Sequence, residues 1–174
     1  SALGEQIAHQ STWRRSVYEV YKSAETDLSW TRELFDTCMK AGIDFFTSAY
    51  DLQAIDSIKR FVDVFKIGSG DIDWLEGLEE IARLGKPVII ATGASELSEV
   101  KRVFDFFDSK NIPIALLQCN TNYSGSDEVF HHLNLKVIRS YQRQFPGTTI
   151  GLSDHSRGHT AVLGAVALGA RIVE

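Results

Sequence analysis

Gly151-Leu152-Ser153-Asp154-His155 sets a hydroxyl, a carboxylate and an imidazole side by side, directly after the short apolar run Thr148 to Ile150. Such a trio can hold a metal, move a proton or bind an anion, and a hydrogen-bonded core histidine would use the same residues. Lys66-Ile67-Gly68-Ser69-Gly70-Asp71 ends a second apolar run in a similar way. Its glycines let an anion approach the backbone, Ser69 offers a hydroxyl and an N–H, and Lys66 supplies a cation. Phosphate or carboxylate suits that set; a plain glycine turn with Lys66 at the surface is the alternative. A third cluster, Gln118-Cys119-Asn120-Thr121-Asn122-Tyr123, carries amides, a hydroxyl and a phenol. These groups suit sugar hydroxyls, or a loop that satisfies its own backbone. Thr47-Ser48-Ala49-Tyr50 and Ala91-Thr92-Gly93 add small polar groups at two further run ends. Clusters at successive strand ends point to an anionic substrate and a metal.

The elements that must position these groups are short β-like runs alternating with helical ones. The β-like runs are Ile43–Thr47, Val64–Gly68, Val88–Thr92, Ile114–Cys119, Thr148–Leu152 and Ala170–Val173. They are apolar without clean alternation, as parallel strands covered on both faces are. Between them, Val100, Val103, Phe104 and Phe107 share one helical face, and Leu75, Leu78, Ile81, Ala82 and Leu84 form another stripe, stopped by Gly85 and Pro87. Further helices are predicted over Ser29–Lys40, Asp51–Phe61 with Asp51 as N-cap, Leu135–Phe145 and Gly158–Leu168. Tyr18, Tyr21 and Trp13 suggest packing of the first stretch, and Ser124 to Ser126 reads as a loop. Repeated strand–helix–strand units imply right-handed crossovers and a parallel sheet. No glycine-rich dinucleotide or Walker loop follows the first strand, and polar clusters end several different strands. A (β/α)₈ barrel, with its active site at the carboxyl ends of the strands, is therefore expected over an open doubly wound sheet. Only about six strands are visible, so the expected barrel is incomplete.

The chain has 174 residues, 44% apolar and 24% charged, with a formal net charge of −5. One domain with a real core fits that length. The acidic balance argues against a broad nucleic-acid footprint, while a few local cations could still hold a small anion. Two cysteines, Cys38 and Cys119, make no disulfide framework and read as reduced core thiols. No run reaches the length of a membrane span and no leader is apparent, so the cytoplasm is the expected location. Glu76, Glu79 and Glu80 read as a solvated helix face, Phe104, Phe106 and Phe107 as core, and His131-His132 as loop surface.

Taken together these motifs resemble the sialic acid synthase family, closest to the bacterial branch of neuraminic, legionaminic and pseudaminic acid synthases. Lys66 to Gly70, Ala91 to Gly93, Cys119 to Tyr123, Gly151 to His155 and Leu163 to Ala170 match its pattern in order and spacing. The resemblance implies a phosphoenolpyruvate-dependent enzyme that forms a C–C bond with an N-acylated hexosamine such as N-acetylmannosamine, releases phosphate by C–O cleavage, and serves surface polysaccharide biosynthesis. By position, Lys66, Ser69 and Ser153 would hold phosphoenolpyruvate, with Ser48 and Thr121 as further contacts. Tyr123 would face the sugar. Asp71 would sit near the reacting carbons, and His155 would be one of two histidine ligands to a divalent metal, Mn²⁺ or else Mg²⁺ or Co²⁺.

Residues 1–174 then correspond to barrel strands three to eight. The first two strands and the carboxy-terminal antifreeze-like domain are expected to be absent, and with them a first-strand Glu, a second-strand phosphate-binding Lys and the second metal histidine. The chain by itself is expected to be inactive and to self-associate through unpaired strand edges, and the full-length parent to be a homodimer. Ala91, Thr121 and Asp71 stand where relatives can carry Ser, Asn and Glu; the first implies one phosphoenolpyruvate contact fewer and the last a different sugar. Another phosphoenolpyruvate aldol-type sugar synthase, and a non-catalytic barrel kept for anion binding or assembly, are the alternatives.

Overall fold

A computed structural model describes residues 14–123 and 127–174. Five parallel strands form its centre: β1 (Phe65–Ile67), β2 (Val88–Ala91), β3 (Ile114–Cys119), β4 (Thr149–Ser153) and β5 (Ile172–Val173). They lie in the sheet in chain order, β1-β2-β3-β4-β5, with every pair parallel. A doubly wound sheet reverses its order at a switch point. No reversal occurs here, so the chain winds in one sense, as a barrel does.

The helices are α1 (Val17–Ser23), α2 (Thr31–Ala41), α3 (Leu52–Ile58), α4 (Leu75–Arg83), α5 (Leu97–Asp108), α6 (Val129–His132), α7 (Lys136–Gln144) and α8 (Thr160–Ala167). Short 3₁₀ turns cover Leu28–Trp30 and Ser69–Asp71. Local chemistry explains their ends. Asp51 Oδ1 accepts from Ala54 N–H at 2.6 Å and starts α3, the cap expected there. Gly42 ends α2 at φ 70°, a conformation that suits glycine. Among the described residues no helix is long and apolar enough to cross a membrane.

Two sequence expectations fail. The run Ile43–Thr47 forms no strand; an isolated parallel bridge between Ser48 and Lys66 is all that continues the ladder beyond β1. Ile43 and Phe46 are 58% and 47% exposed, so that run lacks the burial a central parallel strand needs. Nor does α1 add to the core: it buries no residue, Tyr18 and Tyr21 are 62% and 58% exposed, and its Ser16–Glu19 capping box holds its start locally. Trp13 and the loop Ser124 to Ser126 fall outside the described residues.

Register sorts the strand residues onto two faces. Phe65, Ile67, Val88, Ile90, Leu116, Ile150 and Leu152 face the helices, in one large core with Ile55, Ile81, Val100, Phe107 and Ile138. The opposite face carries a small cluster of Ala91, Leu117 and Cys119, with Ile89 and Ile172 against it. Lys66 pairs with Ile89, Leu117 with Gly151, and Cys119 with Ser153, so these share that second face. Flat, a five-stranded sheet would hold β1 and β5 about 19 Å apart. Yet Lys66 on β1 and Glu174 at the end of β5 meet at 3.2 Å. The sheet is therefore curled, with the second face on its concave side.

Candidate functional site

The carboxyl ends of β1 to β5 form a continuous rim around that concavity. Lys66 lies deepest. Its side chain is 8% exposed, and Nζ donates to Ile67 O at 3.3 Å and pairs with Glu174 Oε1 at 3.2 Å. Burial of an ammonium is costly unless it is paired, so this cation is committed to holding an anion. Ser48 reaches the same place by bridging the Lys66 backbone. The 3₁₀ turn after β1 brings Ser69 across to the end of β2, where its Oγ accepts from Gly93 N–H at 3.1 Å. Gly93 is required by crowding: a Cβ there would lie 2.7 Å from Thr121 Cγ2 and 3.0 Å from Ser69 Oγ. Ser69 and Thr121 thus flank one glycine.

Asp71 turns back over the loop, and a Cβ on Gly68 would lie 2.7 Å from its Oδ2. Burial pushes the Asp71 carboxyl above the usual aspartate range; the Lys66 ammonium opposes this and Asp73 adds to it. On the other side of the rim, Ser153 is 4% exposed and paired with Cys119 across β3 and β4. Asp154 Oδ1 accepts from Ser156 N–H at 3.0 Å and tightens the turn that follows. That turn carries His155 against Tyr123, with ring centroids 4.4 Å apart at 52°. Burial raises the Tyr123 phenol, and the nearby Cys119, Tyr50, Glu174 and Tyr21 add to the effect.

All eight residues singled out by sequence, Ser48, Lys66, Ser69, Asp71, Thr121, Tyr123, Ser153 and His155, therefore lie on or beside this rim. Their contacts are local pairings: Ser48 with Lys66, Ser69 with Gly93 and Thr121, Tyr123 with His155. Gln118 departs from the expected Gln118-to-Tyr123 cluster. It neighbours Cys119 in the chain but points to the helix face, 5% exposed, with Oε1 lacking a partner. There it lines a cavity of about 500 Å³ with Thr92, Asn134 and Tyr141. Sequence reading missed Glu174 as a site residue. Its place two residues after Ile172, on the same face as Gly151, was the available signal. It also missed Tyr141, whose OH donates to Thr92 Oγ1 at 2.9 Å and braces the end of β2 from behind.

Among the described residues no three His, Cys, Asp or Glu side chains converge closely enough to hold a metal ion. His155 can supply one nitrogen; these residues alone do not fit a complete metal centre. Cys119 is buried and Cys38 half-buried, both as free thiols.

Residues 3–174 match the NeuB family. The chain belongs to that family. Pseudaminic acid synthase of Campylobacter jejuni is 35% identical over 163 residues, 92% of this chain and 46% of that protein. Human N-acetylneuraminate-9-phosphate synthase is 32% identical over 174 residues, 99% of this chain and 48% of that protein. The crystal structure of N-acetylneuraminic acid (sialic acid) synthetase from Leptospira borgpetersenii, in complex with citrate, superposes with a TM-score of 0.83 at 32% identity, covering 90% of this chain and 54% of that one. This NeuB-family chain spans about half the length of the curated relatives it matches.

Proposed function

We propose that the chain is the phosphoenolpyruvate-holding half of a nonulosonic acid synthase. The buried Lys66 ammonium on the concave face carries the reading, because nothing in the packing of a sheet requires a cation there. Ser69, Ser153, Ser48 and Thr121, on or beside the same rim, would add hydroxyls able to donate to phosphate or carboxylate oxygens. Tyr123, exposed beside His155, would meet the sugar acceptor. N-acetylmannosamine represents the acceptor class, and the cytoplasm is where such precursors would be joined.

In the condensation, carbon three of phosphoenolpyruvate adds to the aldehyde of the open-chain sugar. Water adds at carbon two, and the C–O bond to phosphorus-bearing oxygen breaks to release phosphate. Lys66 and the serines hold the enol phosphate and keep its charge balanced as it leaves. The aldehyde oxygen needs a proton as the new bond forms. The water that adds at carbon two releases one, and Asp71, half-buried beside the rim, would lie near the reacting carbons, where its carboxylate can steady the positive charge that develops at carbon two. A divalent metal, Mn²⁺ first among candidates, would supply Lewis-acid polarisation of the aldehyde, with His155 as one donor. The described residues do not complete its shell, so no step is assigned to it.

On this reading the 174-residue chain binds phosphoenolpyruvate through Lys66 without turning it over. Calorimetry with phosphoenolpyruvate on the wild type and Lys66→Met tests the site: binding is expected only in the wild type. Equal binding by both would remove Lys66 from it. Phosphate release from phosphoenolpyruvate, N-acetylmannosamine and Mn²⁺ tests the rest, and sustained turnover by the chain alone would refute its being half a catalyst.

A further inference from the structure

The anion position at Lys66 is filled by the protein itself. Glu174 is held through both of its backbone polar groups: its N–H donates to Leu152 O at 2.9 Å, and its carbonyl accepts from Asp154 N–H at 2.9 Å. Ladder bonds thus fix its backbone one residue beyond β5. From there the carboxylate crosses the concave face to Lys66 Nζ at 3.2 Å. The two partners differ sharply in exposure, 8% for the Lys66 side chain and 44% for that of Glu174. Rotation about its own side-chain bonds can return the carboxylate to water. The ammonium has no such exit.

We propose that Glu174 is an internal counter-anion, which neutralises Lys66 in the empty site and is displaced when a phosphate or carboxylate ligand arrives. The inference rests on reading Lys66 as the anion-holding group. An unpaired buried ammonium is costly, so the empty site needs a partner charge. A ligand anion added beside an undisturbed Glu174 would bring two like charges to one ammonium, and their repulsion would cancel most of the attraction. Exchange avoids this. A phosphate dianion brings more charge than a carboxylate and can also accept from Ser69 and Ser153, which lie on the same rim. Displacement lowers the affinity for every anion and rejects neutral ligands outright. It also returns a partner to Lys66 as soon as phosphate leaves, which favours release.

Inorganic phosphate titrated by calorimetry into the full 174-residue chain tests the proposal, with Lys66→Met as the reference. Glu174→Gln removes the competitor and is expected to tighten phosphate binding by roughly threefold to tenfold. Glu174→Asp keeps the charge but withdraws it by one methylene, and is expected to fall between the two. Should the glutamine variant fail to fold by circular dichroism, the aspartate variant decides, a gain supporting the proposal and its absence overturning it. Lys66-dependent phosphate binding that is unchanged or weaker in Glu174→Gln would overturn the counter-anion role, since a merely structural Glu174 would lose affinity on removal. Absence of any Lys66-dependent binding would instead overturn the underlying anion site.

Discussion

Gly93 is where three parts of the rim converge, and adding one methyl group there probes them all. In Gly93→Ala the new Cβ would lie 2.7 Å from Thr121 Cγ2, 3.0 Å from Ser69 Oγ and 3.2 Å from Cys119 Cβ. Carbon atoms settle at about 3.5–4.0 Å, so Thr121 must retreat by about 1 Å and the other two by less. Backbone geometry adds no strain, because Gly93 is not among the glycines with positive φ. Overpacking of this kind costs about 1–3 kcal/mol. The stiffer unfolded chain returns about 0.4–1 kcal/mol, which leaves a net loss centred on about 1.3 kcal/mol and reaching about 2.6 kcal/mol. Urea denaturation reads it as a lower midpoint at unchanged slope. Thr121→Ser deletes the atom in closest contact, so in the Gly93→Ala background it should recover more than half of the loss. The two changes would then be coupled by at least about 0.5 kcal/mol. Phosphate affinity should fall with Gly93→Ala too, because Ser69 Oγ accepts from Gly93 N–H. A Gly93→Ala protein as stable as the wild type, or one that Thr121→Ser does not rescue, would refute the convergence of Ser69 and Thr121 on this glycine.

The rim and its supports lead to three further expectations. Burial raises the Asp71 carboxyl, so the folded state holds that proton more tightly than the unfolded chain. The sign follows: stability is highest below the unfolded value, about 3.9, and declines as pH rises through the raised folded value. Asp71→Asn should remove the decline, gaining on the wild type between about pH 3 and neutrality in urea titrations; a gap that stays constant or closes with rising pH would contradict this. Tyr141→Phe deletes the 2.9 Å bond to Thr92 and should cost about 1 kcal/mol, while Thr92 Oγ1 still donates to Leu117 O at 3.0 Å. No measurable change in the urea midpoint would mean that this buried bond does not brace β2. In Gly151→Ala a Cβ would lie 2.4 Å from Ile172 O, a backbone atom that no rotamer can move. β5 should separate from β4 at a cost of about 3 kcal/mol, visible as fast amide exchange at Arg171 and Glu174; full protection there would refute the close approach.

Much of the architecture is legible because parallel strands and amphipathic helices leave strong local marks. Val88, Ile90, Leu116, Ile150 and Leu152 lie in the apolar runs and become buried strand residues. The stripe at Val100, Val103 and Phe107 becomes the buried face of α5. Failures occur where a neighbour, rather than the local pattern, decides. Ile43–Thr47 has the apolar content of a strand but forms no ladder, and the isolated bridge to Lys66 falls just after it, at Ser48. Tyr18 and Tyr21 look like core residues, yet α1 buries none of its residues and both stay more than half exposed.

The candidate site shows the same division more sharply. Polar residues after an apolar run mark a strand end without saying which face they take, because side chains alternate with a period of two. Gln118 and Cys119 are adjacent, and the register sends one to the helix layer and the other to the concave face beside Ser153. A one-residue slip would exchange them. Pairing is therefore the missing information, and it is non-local. The contact of Lys66 with Glu174 depends on four successive pairings and on the curl they produce, none of which is written in either segment. Yet each pairing is constrained locally. Gly151 is the residue that lets β5 approach β4 closely, since any Cβ there would strike Ile172 O. That approach sets Ile172 opposite Gly151, and the period of two then puts Glu174 on the Lys66 side. One small residue in β4 thus determines which charge meets the buried cation of β1. A substitution at Gly151, remote from Lys66 in the chain, should accordingly alter phosphate binding as well as stability.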